Sequence, residues 1–412
     1  MTVRTTPQRT NQTGLFGLLF VANTAMFAVY FGVGGPLVQS AVALADPVDK
    51  VANAGMVAGV SAIFATVFNP IGGALSDRTR SRFGRRNPWL LGGALAAFAA
   101  LWLLGTASTV TLILISWSIA QAMMNLFQAA LTAIVPDRVP RERRGIASAV
   151  AGVATSVAAV VGTQVAARYA GSLAGFLLLG GGVVASAVLL VLFSRDPRPG
   201  EYEIVVKERR SPLAVLADFL SALGHRDFMW VFLGRALMIL SYFMVLMFQL
   251  FILQDHIRMP SGLTPVEGVA ALTLINVIAS VVATLIGGPL ADKLQRYRLF
   301  VFVSSAISGL ALLIPLVSPT WTGMAIFSAV SGVGFGTYMA VDTALATLVL
   351  PNPENAARDL GVLNIANAGP QMIAPFVAAT IIELSGYPAL FATAIVVAVA
   401  GALTVLRVKA VR

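Results

Sequence analysis

Apolar runs of about 20 residues or more recur along the whole 412-residue chain, separated by short polar tracts. A hydrocarbon core about 30 Å thick is crossed by roughly 20 helical residues. Runs of that size lie at residues 15–38, 51–76, 88–106, 109–135, 145–168, 172–193, 227–254, 265–290, 299–317, 320–349, 358–383 and 387–407. The pattern predicts twelve transmembrane helices. The longest polar stretch, residues 194–226, divides them six and six and carries Pro197, Pro199 and Pro212. Within it, Pro212 to Leu223 predicts a short amphipathic helix lying on the membrane surface. The expected organisation is an N-terminal six-helix bundle over 1–193, a linker over 194–226 and a C-terminal six-helix bundle over 227–412. The first run, Leu15 to Val38, is too long for the apolar part of a secretory signal, so it is expected to be a retained span.

The two halves repeat one another. Residues 71–78 read IGGALSDR and residues 286–293 read IGGPLADK, with Ile71 and Ile286 separated by 215 positions. Near the same offset, IVPDRVPRERRGIASA (134–149) parallels VLPNPENAARDLGVLNIA (349–366). Parallel six-span repeats related by an axis along the membrane normal are a transporter architecture, with the solute site near the midplane. The fold class expected is thus an all-α membrane protein of two pseudo-symmetric six-helix bundles.

Composition strengthens this picture. Only 11% of residues are charged and 58% are hydrophobic, with a mean hydropathy of +0.85, whereas a soluble domain carries about 25% charged residues. The net charge of +10 does not point to nucleic acid, because the basic residues lie in short tracts between apolar runs. With both termini cytoplasmic, 24 of the 28 basic residues fall on the cytoplasmic side, and the outer loops keep Lys50 and Arg258. That asymmetry predicts a multi-pass protein of the plasma (inner) membrane with both ends inside. Cysteine is absent, and His225 and His256 stand far apart, so neither a disulfide framework nor a metal site is expected. No GxxxxGK[ST] phosphate loop and no nucleophile–histidine set occurs, which argues against ATP-driven pumping and against enzymatic chemistry. No cofactor is expected.

The segment Gly73-Ala-Leu-Ser-Asp77-Arg78-Thr-Arg80-Ser-Arg82-Phe-Gly84-Arg85-Arg86 resembles the loop 2–3 signature of the major facilitator superfamily. Its long form, continued by Asn87-Pro88-Trp89, is similar to the melibiose-type glycoside carriers and the related sucrose carriers. Residues 125–128 through Asp137 resemble the sucrose-carrier side. The resemblance implies a secondary carrier, working by alternating access, for a sugar or glycoside. It also implies gating by Asp77, Arg78, Arg82, Gly84, Arg85 and Arg86, with Asp292-Lys293 as the repeat in the second half. Asp77 closes a helix, where the dipole does not favour a carboxylate. It is therefore expected to pair with a nearby arginine or with a helix N-terminus of the other half. The alternative is a bare positive-inside stop signal. Gly72 and Gly73 are expected to allow close helix packing. Sodium-coupled melibiose carriers place two carboxylates in span 2, where this chain has Ala65 and Asn69 before Pro70, and span 1 offers only Asn23. Without hard anionic ligands sodium is disfavoured; an ion gradient or simple facilitation is left as the driving force, and the resemblance implies a proton-linked carrier.

Ionisable residues inside a span are functional candidates by default. Asp342 in span 10 and Arg235 in span 7 are the two here. Asp342 is read either as a proton carrier or as the fixed structural partner of Arg235. Neutral amides form stripes: Gln121, Asn125 and Gln128 on one face of span 4, and Asn364, Asn367 and Gln371 on one face of span 11, beside Pro370 and Pro375, which would kink that helix. Asn23, Gln249 and Asn276 are expected to add to them, with Tyr30, Trp117, Tyr242 and Tyr338 as stacking surfaces. Such groups suit a neutral polyol; the competing role is interhelical hydrogen bonding, worth about 0.6 kcal/mol per bond. The function expected is a proton-coupled carrier of a small polar solute, active as a monomer in the lipid bilayer. The alternative is a proton-driven exporter of a drug or metabolite. Exporters of the superfamily carry a Gly-Pro-rich motif in span 5, and GIASAVAGVATSVAAVVGTQ (145–164) has no proline.

Overall fold

A computed structural model describes residues 2–4, 12–196, 203–205, 221–350 and 356–408. Within these, eleven helical runs are long and apolar enough to cross a membrane. The last, Gly361–Val405, is broken at Gly386, whose φ of 76° no helix accommodates, so it holds two crossing-length pieces. The protein is an all-α membrane protein. Helices prevail because lipid supplies no partner for backbone N–H and C=O groups, which must be satisfied within each segment. Besides the helices, Thr2–Arg4 pairs antiparallel with Glu203–Val205. The surface helix expected from Pro212 lies mostly outside the described residues.

The chain divides into two compact units, Met1–Glu208 and Arg209–Arg412. The first contains α1 (Gln12–Gly32), α2 (Val38–Ala45), α3 (Lys50–Arg78), α4 (Asn87–Gly105), α5 (Val110–Arg138), α6 (Arg144–Arg168) and α7 (Leu173–Phe193). The second contains α8 (Arg226–Leu246), α9 (Gln249–Asp255), α10 (Pro265–Leu294), α11 (Tyr297–Leu310), α12 (Leu313–Val317), α13 (Trp321–Leu348) and α14 (Ala356–Val405). In the first unit α1 packs on α6, and α3 on α5; in the second α8 packs on α14, and α10 on α13. The same pairing in both units follows the internal repeat.

Two spans differ from the hydrophobic pattern in the same way. The first does not stop at residue 38 but continues to Ala45 through a π-helical turn, Val33–Leu37. Pro36 has no N–H to give the helix, and Gly35 leaves the helical region at φ −94°, ψ −108°. The seventh span breaks after Leu246 and resumes at Gln249. Val33 and Phe248 are 215 positions apart, the repeat offset, so the first helix of each unit is interrupted at the equivalent place. Span 11, by contrast, stays helical through Pro370 and Pro375, although neither can donate a backbone hydrogen bond, and the break falls at Gly386.

Small residues set the closest approaches. A Cβ at Gly32 would fall inside contact distance of the Gly162 carbonyl oxygen, and one at Gly162 would meet the Ala28 carbonyl. The α1–α6 contact is therefore backbone against backbone, which glycine alone permits. At the loops away from the arginine-rich end, α5, α7, α10 and α13 start on side-chain caps. These are Thr109, Ser172, Thr264 and Thr320, and Thr264 forms a reciprocal capping box with Glu267. Each cap satisfies a backbone donor at a helix start that would otherwise be unpaired.

Candidate functional site

Three polar assemblies stand out from an apolar interior. The first lies where α3 ends, α4 begins and α5 ends. Asp77 pairs with Arg86 at 2.7 Å, and Arg86 Nε also reaches Asp137 at 2.9 Å. Arg85 binds the same Asp137 oxygen at 2.6 Å. Arg138 pairs with Asp196 at 2.8 Å. Arg85, Arg86 and Asp196 are buried. Desolvation of such charges is offset only where opposite charges and hydrogen bonds surround them, and three arginines here face three carboxylates. Asp77, at a helix end that disfavours it, thus finds its partner within its own unit.

Asp137, Arg138 and Asp196 are members that sequence reasoning did not name as site residues, and the least marked of them is Asp196. Its Oδ2 accepts the backbone N–H groups of Arg86 and, at 2.9 Å, of Asn87. It caps the start of α4, where the helix dipole favours an anion. Gly84 has φ +98°, and a Cβ there would strike the Asp196 side chain, so glycine is required twice over. The available signal was a carboxylate directly after the last apolar residues of span 6, in a chain with only 18 acidic residues.

The other signature residues are placed differently. Arg78 and Arg82 are exposed, and the Arg82 guanidinium lies over the Phe83 ring at 4.8 Å. Of the two glycines, Gly72 meets α5, where a Cβ would be 2.9 Å from the Leu126 Cα, while Gly73 has open space. In the second unit Asp292 and Lys293 are exposed; Asp292 accepts from the Tyr297 hydroxyl at 3.0 Å and makes no ion pair among the described residues. Among the described residues, the buried cluster of the first unit is not rebuilt at the repeated motif.

The second assembly is a neutral face on α1, α3 and α5. The Tyr30 hydroxyl donates to Gln128 Oε1 at 3.2 Å, and Asn69 Nδ2 donates to Asn125 Oδ1 at 3.3 Å. Asn125 in turn donates to the Gln121 carbonyl at 2.9 Å. Gln121 Oε1 and Thr24 Oγ1 are buried polar atoms with no hydrogen-bond partner. Span 4 thus brings its three amides to one place, joined by Tyr30 and Asn69. Asn23 is turned away, donating to the Leu19 carbonyl of its own helix at 2.7 Å. Trp117 is buried as core beneath the π turn, its ring within 3.0 Å of a Cβ built on Gly34.

The third assembly is in the second unit. Arg235 on α8 and Asp342 on α13 form a salt bridge, both buried. Tyr338, one turn before Asp342, is 1% exposed and packs in the apolar cluster with Val341, Leu345 and Met238. It is not presented as a stacking surface. Tyr242 stacks on Phe335 at 4.1 Å, and Gln249 is buried at the start of α9. Asn276 is spent on a helix–helix bond to the Ser328 carbonyl at 3.1 Å. Asn364 and Gln371 are exposed along one face of α14, and the Asn367 Oδ1 between them is buried without a partner. Outside the spans, His256 lies against the rings of Tyr387 and Phe391, and burial pushes its pKa below the ordinary imidazole value. Among the described residues no group of three or more acidic, histidine or cysteine side chains is placed to hold a metal ion.

Comparison with known proteins agrees with this architecture. A nucleoside transporter, NupG, superposes with a TM-score of 0.72 at 13% identity over 96% of this chain and 99% of that one. A bacterial homolog of the human lysosomal transporter Spinster, solved inward-facing and unoccupied, gives 0.67 at 15% identity over 95% of each chain. A peptide transporter, POT, in complex with sulfate gives 0.71 at 15% identity over 98% and 96%. At these identities the likeness is one of fold. A protein from Synechocystis sp. described as an uncharacterized symporter is 50% identical over 54 residues, 12% of this chain. The match spans only a tenth of that relative's length. The family model of the Major Facilitator Superfamily matches residues 15–275 and 261–411, essentially the whole chain in two halves. The protein is a transporter of small molecules embedded in the membrane: the chain belongs to the Major Facilitator Superfamily.

Proposed function

We propose that this chain is a secondary carrier that moves a small neutral polyhydroxylated solute, a sugar or glycoside, in symport with protons by alternating access. The observation that carries the reading is the neutral face of the first unit. Its amides and hydroxyls, Tyr30, Asn69, Asn125, Gln128 and the partnerless Gln121 Oε1, both donate and accept hydrogen bonds, and none carries a charge. A polyol needs that mixture, whereas a cationic or anionic solute would call for a countercharge. The amide stripe of α14 is the corresponding surface of the second unit. Coupling is assigned to Asp342 with Arg235, since a buried carboxylate can take up and release a proton. Ala65 and Asn69 leave the sodium cage without anionic ligands. The cluster of Asp77, Arg85 and Arg86 is assigned to gating. The arginine distribution supports a plasma (inner) membrane protein with both termini cytoplasmic, and two working halves, 1–193 and 227–412, in one monomer.

The test is uptake into proteoliposomes of a panel of sugars and of cationic drugs, with and without a pH gradient. Accumulation of a sugar driven by an inwardly directed proton gradient is expected. Proton-driven movement of the drugs with no sugar transported would replace this reading by the exporter one. Within the same assay, Asn125→Ala should raise the half-saturation concentration about fivefold to thirtyfold, for one to two hydrogen bonds of about 1 kcal/mol each. Its maximal rate should change little, and an unaltered half-saturation would remove Asn125 from the site.

A further inference from the structure

At the end of the second unit away from the arginine-rich loops, an imidazole sits among rings. Asp255 closes α9, and His256 follows it, its backbone N–H held by the Ile252 carbonyl at 3.1 Å. Tyr387 of α14 stands directly after the break at Gly386. Its hydroxyl donates to Asp255 Oδ2 at 2.6 Å. The His256 ring centroid lies 5.9 Å from those of both Tyr387 and Phe391. Asp255 and His256 thus share Tyr387, the first through its hydroxyl and the second through its ring. His256 Nε2 is buried and has no hydrogen-bond partner.

The charged groups of the surrounding elements are exposed. Glu267, at the start of the α10 helix on which α9 packs, is bonded to Thr264. Arg258 pairs through its backbone with Pro319 and Trp321. Glu383 lies one turn before Tyr387 on α14. Neither α12 nor the start of α13 brings a charged side chain. Burial lowers the His256 pKa, with no contribution from a neighbouring charge among the described residues.

A neutral imidazole suits this setting. An imidazolium carries two N–H donors, and at Nε2 it would find no acceptor, so charging the seated ring is costly. We propose that His256 is an acid-sensitive pin: neutral, it seats the end of α9 against Tyr387 and Phe391; protonated, it leaves them and releases the Asp255–Tyr387 tie. The proton comes from solvent and returns to it on reclosing. A seated ring binds a proton less readily than a free one, whose pKa is about 6.5. The closed arrangement is therefore fully stable above that value and weakens as the pH falls through and below it. In the orientation proposed above this is the outer end, the side that an inwardly directed proton gradient acidifies.

The chain has no cysteine, so Leu390→Cys places a single thiol beside Phe391, at a position 0% exposed. Ala394→Cys, also at a 0% exposed position one turn further along α14, is the second reporter. Maleimide labelling of the full chain in detergent is measured from pH 8 to 5.5. Each rate is divided by that of Val48→Cys, an exposed reporter, to remove the pH dependence of the thiol itself. The ratio should rise about fivefold to tenfold toward pH 5.5; about tenfold is the ceiling for one proton over the unit below pH 6.5. In His256→Phe and His256→Gln, which cannot charge, it should stay flat. Tyr387→Phe keeps the ring but loses the Asp255 bond, and its ratio should stand about fivefold higher already at pH 8. A parent ratio that does not move with pH would overturn the pin. So would the same acid rise in both His256 variants, which would place the titration elsewhere, on Asp255 first. Parent-like protection of Tyr387→Phe at pH 8 would overturn the role of the tie. The assay needs neither solute nor gradient, so it can fail while the carrier reading stands.

Discussion

Arg235→Leu is expected to abolish transport and to destabilise the solubilised protein by about 3–5 kcal/mol, the cost of leaving a buried charge without its partner. Asp342 is 2% exposed and its salt bridge is to Arg235. Val341, next to it in the chain, and Leu345, Val301 and Met238 of the same buried apolar cluster offer no hydrogen bond. With the guanidinium gone, the carboxylate must take a proton or drag the helix toward water. The companion variant discriminates between explanations. Arg235→Leu combined with Asp342→Leu removes both charges, and replacing a buried ion pair by apolar groups is often neutral or stabilising. Thermal unfolding in detergent should therefore show a large loss for the single variant and recovery for the double one, while driven uptake is absent from both. A single variant as stable as the parent would mean that the pair is not desolvated in the membrane.

Asp137→Ala is the second large effect. Its carboxylate is shared by Arg85 and Arg86, at 2.6 and 2.9 Å. Removal takes that shared anion from two buried guanidinium groups, leaving Asp77 and Asp196 to face three arginines. We expect a loss of about 3–5 kcal/mol, as for other broken buried pairs. It should be accompanied by loosening of the α3–α4 connection, readable as faster proteolysis or labelling of residues 79–84. Asp137→Asn keeps an acceptor oxygen and should fall between the two. Asp292→Ala in the repeated motif is the control. Its side chain is exposed and bonded only to Tyr297 among the described partners, so its effect should stay within about 0.5 kcal/mol. Equal effects at 137 and 292 would show that the two motifs serve one structural role despite their different surroundings.

These two contrasts mark how far the residues alone lead. Asp342 and Arg235 could be singled out because a charge within an apolar run has no benign explanation, and the choice between pairing and isolation followed from the cost of isolation. Asp196 could not be found that way. It lies just past a span, where a carboxylate is unremarkable, and only the return of the chain to the start of α4 gives it two backbone donors and an arginine. Trp117, Asn23 and Tyr338 show the opposite error. Their chemistry suits a cavity, but rotation about the helix axis turns them into the core or onto their own backbone.

The sequence by itself determined the succession of apolar spans, their division into two related halves and the gathering of arginines in the loops between particular spans. Each of these follows from local composition, because a bilayer selects segments by apolar length and sorts loops by charge. The tertiary structure decided which polar groups meet: Asp77 with Arg86, Tyr30 with Gln128, Asn69 with Asn125, Arg235 with Asp342. It also decided where the helices of spans 1 and 7 break. Those outcomes depend on the rotation and depth of one helix against another. Packing of small residues across helix pairs sets that geometry, and hydrophobicity, nearly uniform around most spans, does not.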